Sequence, residues 1–487
     1  MSAASPPEGG AARTPWWFSA TVVGAVALAA ATRVGGLAER GLSSDEVVYL
    51  QQGADLVGGG SWTRAHPPLF GLLLQLVPAG AESDTGPRAA AVGIGLAAIV
   101  VAGLLGRELA GPAAGASAAV LLACMPYHAD VTRLALVDVP MATLSGLGVL
   151  LAVRASRDAS APLATAAAAV LAVATLVKET AVLTAAAVLI AALRADPRFG
   201  RRTLVRCTAT YLMVVSLYPI TLVARGSLST GAAYLAWQLG RGRTEPATFY
   251  LMTVLPRIGP PVVLAGLVGT VLLLRAQPRP PGTVLVVLGV AVPVTFYIGW
   301  PVRGYPYLLA VMVPLTALGG AGVALGARAA FRRWRGAAAV AIAAAVVAAG
   351  ATRASAEPPD VPGASGVPGI RETARWISGR ERMPVVTAAP WVGTVLRHYL
   401  GGASVHALTT PVADARANPA YPSQSVSRLP SGPSLVVWDV WSAAADPAGT
   451  ARLLELVRQR KGRVAHVETA TIGGSRRVAL VAFVVAP

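Results

Sequence analysis

Charged side chains are scarce in this chain of 487 residues: they make up 13% of it, whereas hydrophobic residues make up 54%. A soluble globular domain carries about 25% charged residues, so this composition excludes an ordinary soluble fold. Aromatic residues are also few, at 6%, and the apolar mass is mainly alanine, valine, leucine and glycine. Small residues let helices approach closely in lipid. These shortages predict a helical membrane protein.

Cysteine is nearly absent, and its two copies, Cys124 and Cys207, lie in or beside apolar runs. They form no disulfide framework that could support an exported part. The formal net charge is +18, but the arginines fall in short clusters between apolar runs instead of along one stripe. This distribution excludes nucleic acid as a partner. It is typical of the positive-inside bias of proteins embedded in a lipid bilayer.

About eleven apolar runs approach the length that a helix needs to cross the hydrocarbon core. The arginine clusters between them place the N-terminus in the cytoplasm, and an odd number of spans places the C-terminus outside. The sequence therefore predicts a polytopic α-helical protein of the plasma (inner) membrane. The runs lie near residues 16–34, 88–106, 112–128, 138–153, 162–177, 180–193, 207–224, 257–274, 282–300, 305–327 and 336–352.

Two segments predicted to lie outside the membrane are long. The first, residues 35–87, joins the first two spans. The second follows a proline-rich stretch, Glu357–Pro362, and alternates β-rich runs with helical patterns, which favours a small α/β domain. The predicted organisation is a cytoplasmic tail (1–15), a transmembrane domain (16–353) and an extracytoplasmic α/β domain (354–487).

The first outside loop contains an acidic pair, Asp45 and Glu46. Ser43 or Ser44 can cap a helix that opens with this pair, so an ordinary helix start is one interpretation. The other is catalytic, because a carboxylate beside the membrane can act as a general base toward an acceptor hydroxyl. The apolar segment 67–77 is too short to span, and we expect it at the interface or in a re-entrant loop, where lipid-borne substrates are met.

Further charged groups are predicted at the same membrane face, where ionisable residues are costly and therefore candidates for function. Arginine or histidine in this position can neutralise the phosphate of a lipid donor. Plainer interpretations remain open: an ion pair or a snorkelling side chain, a short turn, or an aromatic belt. His66 and His128 could bind a metal, but no spacing specifies such a site. The candidates are Arg64, His66, Arg133, Asp138, Lys178, Arg303 and Tyr305.

Five short segments carry a family resemblance through their order and topology. The chain resembles, over residues 16–330, the membrane-embedded GT-C glycosyltransferases, specifically the superfamily of protein O-mannosyltransferases and aminoarabinose-transferase-like enzymes. The segments are Asp45-Glu46 with Tyr49, His66-Pro67-Pro68-Leu69, Arg133 with Leu136-Val137-Asp138-Val139-Pro140, Leu176-Val177-Lys178-Glu179-Thr180, and Arg303-Gly304-Tyr305-Pro306-Tyr307-Leu308-Leu309.

The resemblance implies inverting transfer of a sugar from a polyprenyl-phosphate carrier to a hydroxyl acceptor at the outer face. It implies that Asp45 is the base and that Glu46 supports it or the acceptor. It places His66 and Arg303, and with them Lys178, near the donor phosphate. Arg64, Arg133 and Tyr305 complete the predicted substrate-binding set. Asp138 matches an acidic position that lies near a metal in some relatives, so a divalent metal ion stays an open alternative.

The acceptor and two rival functions are left open by the sequence. A protein hydroxyl, a lipid and a cell-wall glycan are all possible acceptors, since the C-terminal region does not match the domains of protein O-mannosyltransferases. A transporter or flippase would explain the spans, but it predicts inverted repeats and broken mid-membrane helices, which are not clear here. A non-catalytic assembly protein could retain the scaffold of an enzyme.

Overall fold

The computed structural model is mostly helical and ends in a mixed β-sheet. It describes residues 14–37, 39–59, 67–77, 84–194, 200–240, 245–330, 335–351, 367–380, 383–401, 405–408, 425–426, 429–445, 447–472 and 475–486.

Seventeen α-helices occupy the described part of the chain up to residue 351. Each of the eleven predicted apolar runs coincides with one of these helices or with two consecutive ones. The helices are α1 (Trp16–Val34), α2 (Ser44–Val57), α3 (Leu69–Leu74), α4 (Thr85–Ala110), α5 (Pro112–Ala123), α6 (Pro126–Thr132), α7 (Asp138–Asp158), α8 (Ala161–Val177), α9 (Val182–Arg194), α10 (Arg201–Val215), α11 (Leu217–Ala224), α12 (Leu228–Gly240), α13 (Leu255–Ile258), α14 (Pro260–Arg275), α15 (Thr283–Gly299), α16 (Met312–Ala330) and α17 (Arg335–Ala351).

The multi-pass character of the protein is confirmed, but the number of crossings is not. Within the described ranges, five helical segments are long and apolar enough to cross a membrane, or six if a pair bent by 82° counts as one span. Shorter apolar helices, α5, α8 and α15, accompany them. The five segments are Trp16–Val34, Thr85–Ala110, Asp138–Asp158, Arg201–Ala224 and Tyr305–Ala330, and the bent pair is Tyr250–Ile258 with Pro260–Arg275.

Close helix packing depends on glycine, as the composition predicts. A methyl group added to Gly269 in α14 would overlap the carbonyl oxygen of Leu318 in α16. One added to Gly320 in α16 would overlap the carbonyl oxygen of Ala114 in α5. The backbones of these helices therefore touch, which is how small residues provide van der Waals contact between helices in lipid.

Helices α7 and α8 form an antiparallel pair that gives the helical bundle two different ends. Helix α7 begins at Asp138, and α8 returns to end at Val177, so Lys178 lies at the same end as Asp138. The opposite end of α7 carries Arg154 and Arg157, and both bind Glu108 near the end of α4. The candidate residues and the basic cluster thus lie at opposite ends of the bundle.

The C-terminal region contains strands and helices, as expected, although its predicted limit at residue 354 lies outside the described residues. The six-stranded sheet has the order β3-β2-β1-β4-β6-β5. Strands β3, β2, β1 and β4 are parallel to one another, and β6 pairs antiparallel with both β4 and β5. The elements are α18 (Ile370–Ser378), β1 (Val385–Thr387), α19 (Pro390–Tyr399), β2 (Val405–Leu408), β3 (Ser425–Val426), β4 (Ser434–Asp439), α20 (Val440–Ala445), α21 (Pro447–Gln459), β5 (Arg463–Ile472) and β6 (Ser475–Val485).

Candidate active site

A reciprocal cap fixes the start of α2 and with it the acidic pair. The hydroxyl of Ser43 accepts a hydrogen bond from the backbone N–H of Glu46 at 3.3 Å, and the Glu46 carboxylate accepts one from the N–H of Ser43 at 2.7 Å. This capping box satisfies two amides that a helix start leaves open. The helix-start interpretation of this segment is therefore confirmed, and Asp45 is held on the first turn.

Glu46 is fully buried and bound by a buried arginine. Arg88 of α4 donates from Nε and Nη2 to its two carboxylate oxygens, each at 2.8 Å, and the N–H of Ala135 donates at 2.9 Å. Burial alone would raise the pKa of Glu46, but the charge and hydrogen bonds of Arg88 outweigh burial and lower this pKa. With these donors and the Ser43 amide engaged, Glu46 fits the supporting role beside Asp45.

Asp45 differs from its neighbour because its side chain is only half-buried. One turn later, Tyr49 lies in the electrostatic field of three carboxylates from separate parts of the chain: Asp45, Asp138 and Glu179. Burial raises the pKa of the Tyr49 hydroxyl, and these carboxylates raise it further. The fold therefore brings the start of α2 close to the start of α7 and to the turn after α8.

Lys178, which follows α8, and Asp138, which begins α7, form a buried ion pair. The ammonium nitrogen of Lys178 lies 2.6 Å from Oδ1 of Asp138, and both side chains are almost inaccessible to solvent. The same ammonium lies 4.6 Å from the ring centre of Tyr307, a distance at which a cation is attracted to the ring face. Lys178 occupies the break between α8 and a 3₁₀ turn, Glu179–Ala181.

The same groups were candidates for holding a metal ion. Across the described ranges, no group of three or more histidine, cysteine, aspartate or glutamate side chains could hold a metal ion. The carboxylate of Asp138 is already neutralised by the ammonium of Lys178. A metal site at Asp138 thus gains no support from the ligand set around it and stays a prediction.

Arg303 and Tyr305 lie on the connection between α15 and α16 but make different contacts. Arg303 is buried and donates to the backbone carbonyls of Glu245 at 2.9 Å and Ile298 at 3.4 Å. The Tyr305 hydroxyl donates to Oδ2 of Asp130 at 2.7 Å. Arg303 therefore fixes a loop at the candidate end of the bundle, whereas Tyr305 belongs to a neighbouring polar cluster.

That neighbouring cluster contains residues that the sequence did not single out. Arg257 donates from Nε and Nη2 to both oxygens of Asp130, at 2.9 and 2.7 Å. Arg257 lies just before the bend between α13 and α14, where Gly259 has φ of 90°. The sequence could have pointed to Arg257 because it is an isolated arginine at the edge of an apolar run, where a charge is costly. Arg88 gave the same signal at the start of the second predicted span.

Three predicted site residues remain, and the structure describes only one of them, Arg133. Arg133 donates to the carbonyl oxygen of Gly35 at 2.6 Å in an exposed position, so it ties the turn after α6 to the chain leaving α1. Arg64 and His66 lie outside the described residues. Their predicted contact with the donor phosphate stays a prediction.

The fold and this polar cluster define a multi-pass helical membrane protein with ionisable groups gathered at one end. Residues 65–224 match the family model described as dolichyl-phosphate-mannose-protein mannosyltransferase. No curated protein sequence matches the chain at a significant level.

Solved structures share this fold at low sequence identity. ArnT from Cupriavidus metallidurans matches in its apo state with a TM-score of 0.66 at 14% identity, and bound to undecaprenyl phosphate with 0.63 at 15%; both matches cover 96% of this chain and 98% of that one. The oligosaccharyltransferase AglB from Archaeoglobus fulgidus, in complex with an inhibitory peptide and a dolichol-phosphate, matches with 0.59 at 13%, covering 95% and 74%. The chain therefore shares the fold of these membrane-embedded transferases.

Proposed function

We propose that this protein is a glycosyltransferase that moves a sugar from a polyprenyl-phosphate carrier to a hydroxyl acceptor. The observation that carries the proposal is the half-buried carboxylate of Asp45, held on a capped helix start beside Glu46, whose own carboxylate is bound by Ser43, Arg88 and Ala135. The match of residues 65–224 to a dolichyl-phosphate-mannose family supports a lipid-phosphate donor. The ArnT and AglB structures, which contain undecaprenyl phosphate and dolichol-phosphate, support it as well.

In the proposed reaction, Asp45 accepts the proton of the acceptor hydroxyl as its oxygen attacks the anomeric carbon. The bond between that carbon and the phosphate oxygen breaks, and the polyprenyl phosphate leaves with the electron pair. A single displacement of this kind inverts the anomeric configuration. Cationic groups stabilise the charge that develops on the leaving phosphate. We assign this role to Lys178 and Arg303, with Arg64 and His66 as further predicted contacts.

The proposed location is the outer face of the plasma (inner) membrane, with the C-terminal region outside. Arg154 and Arg157 lie at the end of α7 opposite to Asp138, and Arg328 lies near the end of α16. Basic residues concentrate on the cytoplasmic side, so the candidate end faces outward. The acceptor is a hydroxyl of a protein, a lipid or a cell-wall glycan.

The test is sugar transfer by membranes containing this protein, supplied with a panel of radiolabelled polyprenyl-phosphate sugars. We expect label in a product with the wild type and none with Asp45→Asn. Asp158→Asn, which makes the same change at the opposite end of α7, is the matched control and should transfer normally. Folded wild-type protein that transfers no sugar from any donor would contradict the proposal and favour a transporter or an assembly protein.

A further inference from the structure

We infer that the C-terminal α/β region positions the loop that carries Asp45, with Tyr399 as the positioning residue. The inference rests on the proposed function, since it gives the region a part in the same reaction. It starts from two hydrogen bonds that join Tyr399, the last residue of α19, to the membrane-embedded part of the chain.

Tyr399 connects two segments that are distant from it in sequence. Its hydroxyl oxygen accepts a hydrogen bond from the backbone N–H of Leu42 at 2.8 Å and donates one to Oδ2 of Asp84 at 2.6 Å. Arg371, from the first turn of α18, binds the same Asp84 oxygen in a partly buried ion pair. Two helices of the C-terminal region thus converge on the residue that precedes α4.

The membrane-embedded part holds the same loop from its other side. Arg88, one turn after Asp84, donates to the backbone carbonyls of Leu37, Arg40 and Gly41 at 2.7, 2.8 and 3.0 Å. It also carries the bidentate pair with Glu46. The segment before α2 is therefore bound by Arg88 on one side and by Tyr399 on the other.

The contact between the loop and the C-terminal region is too close to admit a side chain. A methyl group added to Gly41 would lie 2.5 Å from Cγ2 of Ile370 and 3.0 Å from the carbonyl oxygen of Val367. Ile370 is completely buried. The first turn of α18 therefore packs directly on the backbone that leads into α2.

These contacts act on Asp45 through very few covalent bonds. Leu42, which Tyr399 binds, precedes the capping residue Ser43, and Asp45 follows on the first turn. Burial raises the pKa of Tyr399, and Asp84 raises it further, so the hydroxyl keeps the proton that it donates. A small displacement of a catalytic group can reduce turnover strongly without changing binding. Loss of the Tyr399 hydroxyl should therefore affect turnover more than donor affinity.

The test is transfer by the full-length protein carrying Tyr399→Phe, which removes only the hydroxyl. Loss of both hydrogen bonds of this hydroxyl should lower kcat roughly fivefold to tenfold, and we expect KM for the donor to stay within about twofold. Arg458→Gln, on the exposed face of α21, is the matched control in the same region and should leave both constants unchanged. Asp84→Asn combined with Tyr399→Phe should cost less than the sum of the two single changes, because the two residues share one hydrogen bond.

Hydrogen–deuterium exchange separates this inference from the proposed function. We expect Tyr399→Phe to accelerate amide exchange over residues 42–49 and Arg458→Gln to leave it unchanged, whether or not a donor has been found. Exchange that stays at the wild-type rate in Tyr399→Phe, or a kcat equal to that of the wild type, would overturn the inference. Failure of the wild type to transfer sugar, with accelerated exchange in Tyr399→Phe, would contradict only the proposed function.

Discussion

Asp45 and Glu46 are neighbours in sequence, yet their surroundings differ sharply. Glu46 is buried and receives two hydrogen bonds from Arg88, whereas Asp45 is half-buried on the same turn. The sequence was sufficient to predict an acidic pair at a helix start. It could not assign the two roles, because the partner of Glu46 comes from α4, and its third anchor, Ala135, comes from the chain before α7.

This difference predicts that two similar substitutions have unequal effects on stability. Glu46→Gln removes one partner of a buried ion pair and leaves the guanidinium of Arg88 without its counter-charge, which should lower the free energy of unfolding by about 3–5 kcal/mol. Asp45→Asn should leave the thermal unfolding temperature close to the wild type. Thermal unfolding of the two purified variants measures both effects, and equal stability of Glu46→Gln and the wild type would remove Glu46 as a structural anchor.

A second residue-level prediction concerns Asp439 at the end of β4. Its Oδ1 accepts the N–H of Ser442 at 2.7 Å, and its Oδ2 has no hydrogen-bond partner among the described residues. Burial raises the pKa of Asp439 from its usual value of 3.8 to about 6. The folded protein therefore binds more protons than the unfolded chain between these values, so its stability falls as pH rises through this window.

Asp439→Asn removes this titration, so its stability relative to the wild type should increase as pH is raised from about 4 to about 7. The measurement is the difference in Tm between variant and wild type at several pH values. Ala451→Ser, an exposed change in α21 that involves no titratable group, should give a difference that does not depend on pH. A flat difference for Asp439→Asn as well would contradict the raised pKa.

At the scale of elements, the apolar runs predicted the positions of the helices correctly. They did not predict which helices are straight and long enough to cross a membrane. Every run coincides with a helix, but the run near 257–274 is preceded by a π-helical turn, Tyr250–Val254, and contains an 82° bend at Gly259. Hydropathy counts apolar residues and is insensitive to such a bend. Positive φ at Gly259, 90°, is a backbone state that glycine adopts readily, and it became visible only in three dimensions.

Glycine contacts between helices lead to a matched pair of substitutions. Gly269→Ala places a methyl group on the carbonyl oxygen of Leu318, so α14 and α16 must separate, and such overpacking costs about 1–3 kcal/mol. Gly326→Ala, in α16, meets nothing within 4 Å and should be neutral or slightly stabilising. Thermal unfolding in detergent compares the two, and equal effects would argue against close contact between these helices.

At the scale of the whole molecule, the chain has a polar end with the candidate site and an opposite end rich in arginine. The sequence predicted this arrangement from the arginine clusters, and the fold places Asp138 and Arg154 at opposite ends of α7. A reporter fused after Pro487 should therefore give an extracytoplasmic signal. A cytoplasmic signal would contradict the proposed orientation, and with it the outer-face location of the site.

The contact between the C-terminal region and the first loop could not be predicted from the sequence. Nothing in the pattern around Tyr399 relates it to Leu42 or Asp84, because such pairing depends on how the sheet and its helices dock on the bundle. Within the candidate site, Asp45, Asp138 and Lys178 were predictable as ionisable residues near the ends of apolar runs. The pairing of Asp138 with Lys178 came from the return of α8 beside α7.

The most direct test of the central claim is single-turnover transfer from a bound polyprenyl-phosphate sugar, compared between the wild type and Asp45→Asn at saturating donor. If Asp45 is the base, the variant should bind the donor with wild-type affinity and lose transfer by about 100-fold or more, because general base catalysis contributes about that factor. Transfer by Asp45→Asn at the wild-type rate would contradict the account, since the carboxylate would then have no part in deprotonating the acceptor.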